Sequence, residues 1–101
     1  MILTTEMILD SLRENLNYLR DNYRVQRVAL FGSFVTGKAT PESDIDLMIE
    51  FQEPIGLDFM ELCNYLEDIF GRKVDVLTPI GLESIRIASV MNQIKGQMIY
   101  V

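Results

Sequence analysis

Apolar residues recur at three-to-four spacing near the start of the chain: Ile8, Leu9, Leu12, Leu16 and Leu19, behind the polar opening Thr4-Thr5-Glu6. That period predicts an amphipathic helix ending near Asp21-Asn22. Val25 to Phe31 closes on an unbroken apolar run and predicts a buried strand. A polar turn, GSFVTGKATPES, follows. SDIDLMIEF, Ser43 to Phe51, then alternates: Ile45, Leu47, Ile49 and Phe51 point one way, Asp44, Asp46, Met48 and Glu50 the other. This predicts a second strand with one face on a core and the other at least partly open to water. QEPIG reads as a loop. Leu57 to Phe70 predicts a second long helix, with Phe59, Leu62, Cys63, Leu66, Ile69 and Phe70 as its stripe and Gly71 as its cap. KVDVLTP predicts a short third strand stopped by Pro79. A third helix is expected from about Leu82 into the low 90s, broken by Gly96 before the apolar tail Met98-Ile99-Tyr100-Val101. The tail is either a docked end of the fold or part of an interface.

Length and composition narrow the function classes. A chain of 101 residues fits one domain and has no room for a separate substrate domain. At 49% hydrophobic it is not a disordered segment. The net charge of -6 gives no basic footprint, so nucleic acid is disfavoured as the main partner. The sequence has no histidine, which excludes His-based triads and His-ligated zinc, and its single cysteine, Cys63, allows no internal disulfide. Cys63 is expected as a small buried hydrophobe. No apolar run reaches the ~18 residues of a membrane span, and the N-terminus lacks a signal-peptide pattern, so a cytoplasmic protein is expected.

The turn at residues 32–38 nearly spells a P-loop: Gly32, four residues, Gly37, Lys38. Three features exclude one. Ala39 follows the lysine where a metal-binding hydroxyl is required. Pro41 and the strand beginning by Asp44 leave no room for the crossover of about a dozen residues that a P-loop feeds. The chain is also too short for the sheet such enzymes carry. What remains is a Gly-Ser turn after a buried strand. Gly32 lets an anion approach the backbone, Ser33 offers a hydroxyl, and the free N–H groups of a short helix would point at the same oxygens. Lys38 either neutralises charge nearby or is a solvated turn lysine.

Asp44 and Asp46 project from one strand face, ~6.5–7 Å apart. Such carboxylates repel unless a cation sits with them, and they form a hard-oxygen site suited to Mg²⁺. An isolated Asp-x-Asp is usually a solvated strand face. Asp75 changes the picture, because a charge between Val74 and Val76 in a short apolar strand costs free energy unless paired or metal-bound. A third carboxylate on an adjacent strand would complete a two-metal site beside the Gly-Ser turn.

Gly32-Ser33, ten residues, Asp44-Ile45-Asp46 and a later strand Asp75 resemble the nucleotidyltransferase superfamily related to DNA polymerase beta. The length and element order resemble its minimal nucleotidyltransferases, which are often antitoxin partners of HEPN-domain toxins. The resemblance spans nearly the whole chain. It implies an α/β (α+β) fold, a small mixed β-sheet with helices packed on one face. It also implies a nucleoside triphosphate substrate, expected to be ATP. Gly32 and Ser33 would hold the β- and γ-phosphates, Asp44 and Asp46 two Mg²⁺ ions, and Asp75 the metal and proton at the attacking hydroxyl. The acceptor would be a tyrosine of a HEPN toxin, modified with AMP in a type VII-like toxin–antitoxin pair. The family turn commonly reads Gly-Ser-x-Ala-Arg-Gly, but Thr36 stands here at the arginine position. Thr36 offers only a hydroxyl, and Lys38 is no geometric substitute for arginine. The alternative function is therefore a catalytically weak or inactive binding module that neutralises its partner by steric contact. Monomer, homodimer and hetero-complex are all open to the sequence.

Overall fold

The computed structural model describes residues 3–85 and 88–101. The elements run α1 (Thr5–Tyr23), β1 (Val25–Phe31), α2 (Ser33–Thr36), β2 (Ile45–Phe51), α3 (Asp58–Phe70), β3 (Val74–Leu77), α4 (Pro79–Glu83), α5 (Ala88–Gln97) and β4 (Ile99–Tyr100). The mixed α/β class expected from the sequence is what forms. The strands make one sheet in the order β3-β2-β1-β4. β1 is antiparallel to β2 and β4, and β2 is parallel to β3. A parallel pair needs a crossover, and α3 supplies it.

The two long helices start and stop on local chemistry. The Thr4 hydroxyl accepts the Met7 N–H at 3.2 Å, which satisfies one of the free donors of α1. Arg24, at φ 55°, ends that helix in the left-handed conformation. Gly71 ends α3 in the same way at φ 63°, its N–H donating to the Glu67 carbonyl at 2.8 Å. Ile8, Leu9, Leu12 and Leu19 of α1 pack with Leu62 and Leu66 of α3 over Val25, Val28, Leu30, Ile45, Leu47, Ile49 and Val74. Burying each such side chain contributes about 1.5–3 kcal/mol, and this layer joins the sheet to its two long helices.

The opposite sheet face differs from the simple alternation. Met48 shares it with Asp46 and Glu50 but is only 3% exposed, because Leu82 and Met98 of the C-terminal segment meet it across a groove. Pro79 does stop β3, but it also opens α4, whose N-cap Thr78 accepts the Gly81 N–H at 3.1 Å. Gly96 does not break the last helix, which runs on to Gln97. The third helix expected from about Leu82 is thus α4 and α5, with residues 86 and 87 between them outside the described residues. The apolar tail is a docked end: Ile99 and Tyr100 pair with Leu30 and Ala29, and the Val101 N–H donates to the Val28 carbonyl at 3.0 Å. Ile99 and Tyr100 keep exposed side chains. Among the described residues, no helix is long and apolar enough to cross a membrane.

Candidate active site

The site is built where β1 ends and β2 begins. Phe31, the last residue of β1, is registered against Asp46. The chain then turns at Gly32, with φ 80° and ψ −151°, a region that essentially only glycine occupies. A side chain is excluded here for a second reason: a Cβ on Gly32 would lie 2.2 Å from Asp46 Oδ2. The Gly32 backbone and the Asp46 carboxylate therefore occupy the same small space. Ser33 starts α2, and the Gly32 carbonyl accepts the Val35 and Thr36 N–H groups at 3.0 and 3.1 Å. The Thr5 hydroxyl donates to the Phe34 carbonyl, which fixes the short helix to α1. Gly37, at φ 79°, ends it.

The carboxylates converge from two strands. Asp46 on β2 lies in register with Asp75 on β3, and Asp44 just precedes β2. Burial pushes the Asp46 carboxyl above its ordinary acid range, and the charges of Asp75 and then Asp44 push it the same way. Asp75 is on an edge strand and is about half exposed, so the burial cost expected for it does not arise; the desolvated carboxylate is Asp46. The ammonium of Lys73 stands between the outer two, 3.8 Å from Asp44 Oδ2 and 3.7 Å from Asp75 Oδ1.

Among the described residues no group of three or more His, Cys, Asp or Glu side chains stands close enough together to hold a metal ion as placed. The donor chemistry nevertheless fits a hard divalent cation: a carboxyl raised first by burial and then by two neighbouring carboxylates, and a cationic side chain lodged between the outer two.

Gly32, Ser33, Asp44, Asp46 and Asp75 thus gather at one end of the β1–β2–β3 strands. Thr36 and Lys38 do not converge on the carboxylates in the same way. Thr36 is exposed, with its hydroxyl turned to the Ser33 carbonyl at 3.5 Å. Lys38 is exposed beyond Gly37 and makes no ion pair among the described residues; its backbone N–H donates to the Ser33 carbonyl at 3.0 Å. Two cations escaped the sequence reasoning. Lys73 is one, and its spacing from Asp75, two residues along a strand, was a usable sign that both lie on one face. Arg72 is the other. Its Nη1 donates to the Ser43 carbonyl at 3.0 Å and its guanidinium lies 5.4 Å from the Phe34 ring centroid. No spacing rule links residue 72 to residues 34 and 43. Cys63 is half-buried rather than core, its thiol pKa raised by burial and by Glu67.

Comparison with known proteins adds to this geometry. The family described as "Nucleotidyltransferase domain" matches residues 12–101. A Methanocaldococcus jannaschii protein carrying the provisional name protein adenylyltransferase is 43% identical over 101 residues, covering 97% of this chain and 98% of its own. Protein adenylyltransferase MntA of Thermococcus cleftensis is 38% identical over 84 residues, or 82% of this chain and 85% of that one. Of solved structures, one provisionally described as a minimal nucleotidyltransferase superposes with a TM-score of 0.71 at 28% identity, over 96% of this chain and 95% of that chain. A chain from a crystal structure of a toxin–antitoxin with AMP-PNP gives 0.64 at 26% identity, over 87% and 69%.

Proposed function

The chain belongs to the nucleotidyltransferase domain family, and from that premise we propose that it is a cytoplasmic, Mg²⁺-dependent adenylyltransferase. It transfers AMP from ATP to a hydroxyl of a partner protein, a tyrosine of a HEPN-domain toxin, and so acts as an antitoxin. The observation that carries the proposal is the close approach of Gly32 to Asp46, which sets a bare backbone turn against a desolvated carboxylate. A small anion on the turn and a cation on the carboxylate would account for both features together. The adenylyltransferase names of the relatives support the group transferred. The toxin–antitoxin complex with AMP-PNP supports the kind of partner and the nucleotide.

In this mechanism the backbone of Gly32 and the hydroxyl and N–H of Ser33 bind the β- and γ-phosphates and orient the α-phosphate toward the carboxylates. Asp44, Asp46 and Asp75 would hold Mg²⁺, which supplies neutralisation of the charge developing on the transferred phosphoryl group. Asp75, the most accessible of the three, accepts the proton of the attacking hydroxyl directly or through a water. The acceptor oxygen forms a bond to the α-phosphorus, the bond from that phosphorus to the bridging oxygen of the β-phosphate breaks, and pyrophosphate leaves. A cation held by these carboxylates would compete with the Lys73 ammonium for the Asp44 and Asp75 oxygens.

One observation favours a second function, steric neutralisation without catalysis: Thr36 brings no fixed cation to the turn and spends its hydroxyl on the helix's own carbonyl. Intact-mass spectrometry of the toxin, after incubation with this protein, ATP and Mg²⁺, separates the two. A gain of AMP that vanishes with Asp44→Asn/Asp46→Asn is expected. An unmodified toxin in a stable complex would overturn the enzymatic function and leave the steric one.

A further inference from the structure

Resting on the function proposed above, we propose that Arg72 supplies the triphosphate-binding guanidinium that the Gly-Ser turn lacks at Thr36. The turn's own candidates do not reach the task. Thr36 is neutral, and Lys38 is exposed beyond Gly37. Arg72 comes from a different part of the chain, the short connection after Gly71 that leads into β3. It nevertheless lies against the turn, because its guanidinium covers the ring of Phe34, the residue next to Ser33. The same group donates through Nη1 to the carbonyl of Ser43, the residue next to Asp44. One guanidinium thus spans the two elements that bind the nucleotide, the turn and the Asp-x-Asp strand.

A guanidinium has five N–H donors in a rigid plane. The carbonyl of Ser43 takes one from Nη1, and the position over the Phe34 ring uses none of the others. The remaining donors are held in a fork that matches a phosphate oxygen pair. Anchoring at Ser43 and over Phe34 also reduces the rotamer freedom lost when a phosphate binds. The side chain is only partly buried, so an anion can reach it from solvent. Its charge balances part of the carboxylate cluster when a polyanion arrives. The contact would fall on the outer phosphates, because Asp46 occupies the inner side of the turn.

The test compares binding of a non-transferable ATP analogue and of AMP, both with Mg²⁺, by calorimetry. Arg72→Met keeps an unbranched stem over Phe34 and removes the charge. It should weaken the triphosphate about 10- to 100-fold and leave AMP within about twofold, the loss of one or two charge-assisted hydrogen bonds. Arg72→Lys should fall between, since the charge stays and the fork is lost. Thr36→Arg in the Arg72→Met background should restore most of the triphosphate affinity. Equal weakening of both nucleotides, or no weakening, overturns the assignment and leaves Arg72 as a tether between the turn and β3. Failure of Thr36→Arg to rescue also counts against it. A fall in the ligand-free unfolding midpoint of Arg72→Met, with triphosphate selectivity unchanged, would likewise identify a packing role. If the unmutated protein binds neither nucleotide, the function proposed above falls as well, and the two failures are told apart by that control.

Discussion

Replacing Gly32 with alanine imposes two separate costs. The first is conformational: a residue with a side chain at φ 80°, ψ −151° is strained by about 1–3 kcal/mol. The second is spatial. The new Cβ would sit 2.2 Å from Asp46 Oδ2, 3.0 Å from its Cγ and 3.2 Å from its Cβ. A change of rotamer can move the oxygen, but the Asp46 Cβ is fixed by strands on both sides. Relieving an overpacked contact of this kind costs about 1–3 kcal/mol more. Gly37 is a control in the same turn. It has φ 79°, and a Cβ there meets nothing within 4 Å. Gly37→Ala therefore carries only the left-handed cost of about 1–2 kcal/mol. Gly32→Ala should be the worse of the two by about 1–3 kcal/mol, and its melting point lower by roughly 4–8 °C for each of those kcal/mol. Guanidinium unfolding followed by circular dichroism, in metal-free buffer, measures both. Adding Asp46→Ala to Gly32→Ala should recover the spatial part, a coupling of about 1–3 kcal/mol in a double-mutant cycle. Equal losses at the two glycines, or simple additivity in the cycle, would refute the close approach of Gly32 to Asp46.

Asp46 carries an acid pKa raised by burial and by its carboxylate neighbours, so its charged form is disfavoured in the folded state. The cost is present above the raised folded value and fades as pH falls through that value toward the ordinary 3.8. Asp46→Asn should therefore raise the metal-free unfolding midpoint at neutral pH and give no gain once both states are protonated, as a pH series of thermal melts would record. Asp75→Asn should reduce the rate of AMP transfer about 100-fold or more, the usual worth of a proton acceptor, while complex formation with the toxin by gel filtration stays intact. Lys73→Met should lower the metal-free stability by at most about 1 kcal/mol at low salt, and the difference should vanish at about 1 M salt, because the pairs it removes are exposed. It should at the same time tighten Mn²⁺ binding followed by electron paramagnetic resonance, since a competitor for the carboxylates is gone.

The parts of the fold visible in the sequence are those governed by near neighbours in the chain. β1 spans Val25–Phe31 as its apolar run suggested, and α1 and α3 lie within two residues of their periodic patterns. Their stripes face a single layer, so period and burial agree. The C-terminal quarter was less legible. Pro79 fits both the end of a strand and the first turn of a helix, and Thr78 decides for the helix by capping it. Gly96 is tolerated inside α5 because one glycine costs a helix only about 1 kcal/mol, less than tertiary contacts return. Met48 alternates with aspartate and glutamate yet is buried, since the cover over it comes from residues more than thirty positions away. The site divides in the same way. Asp44 and Asp46 were legible from their alternation along one strand and Gly32 from its turn after β1, whereas Asp75 was singled out by a burial cost that its edge strand does not impose. Arg72 was not legible, because its partners are set by how α3 returns the chain to the sheet; Lys73 was marked only by its two-residue spacing from Asp75.

The crossover through α3 has a further consequence. Asp44 and Asp46 belong to a hairpin that can form between adjacent segments, whereas Asp75 joins them only after Leu62 and Leu66 have docked and β3 has paired with β2. A ligand that needs all three carboxylates binds only the fully assembled state, and it stabilises that state by mass action over any in which the hairpin persists and α3 has swung away. Amide hydrogens in α3 should then exchange with solvent deuterium more slowly when ATP and Mg²⁺ are present, although the helix packs on the sheet face opposite the Asp46 side chain.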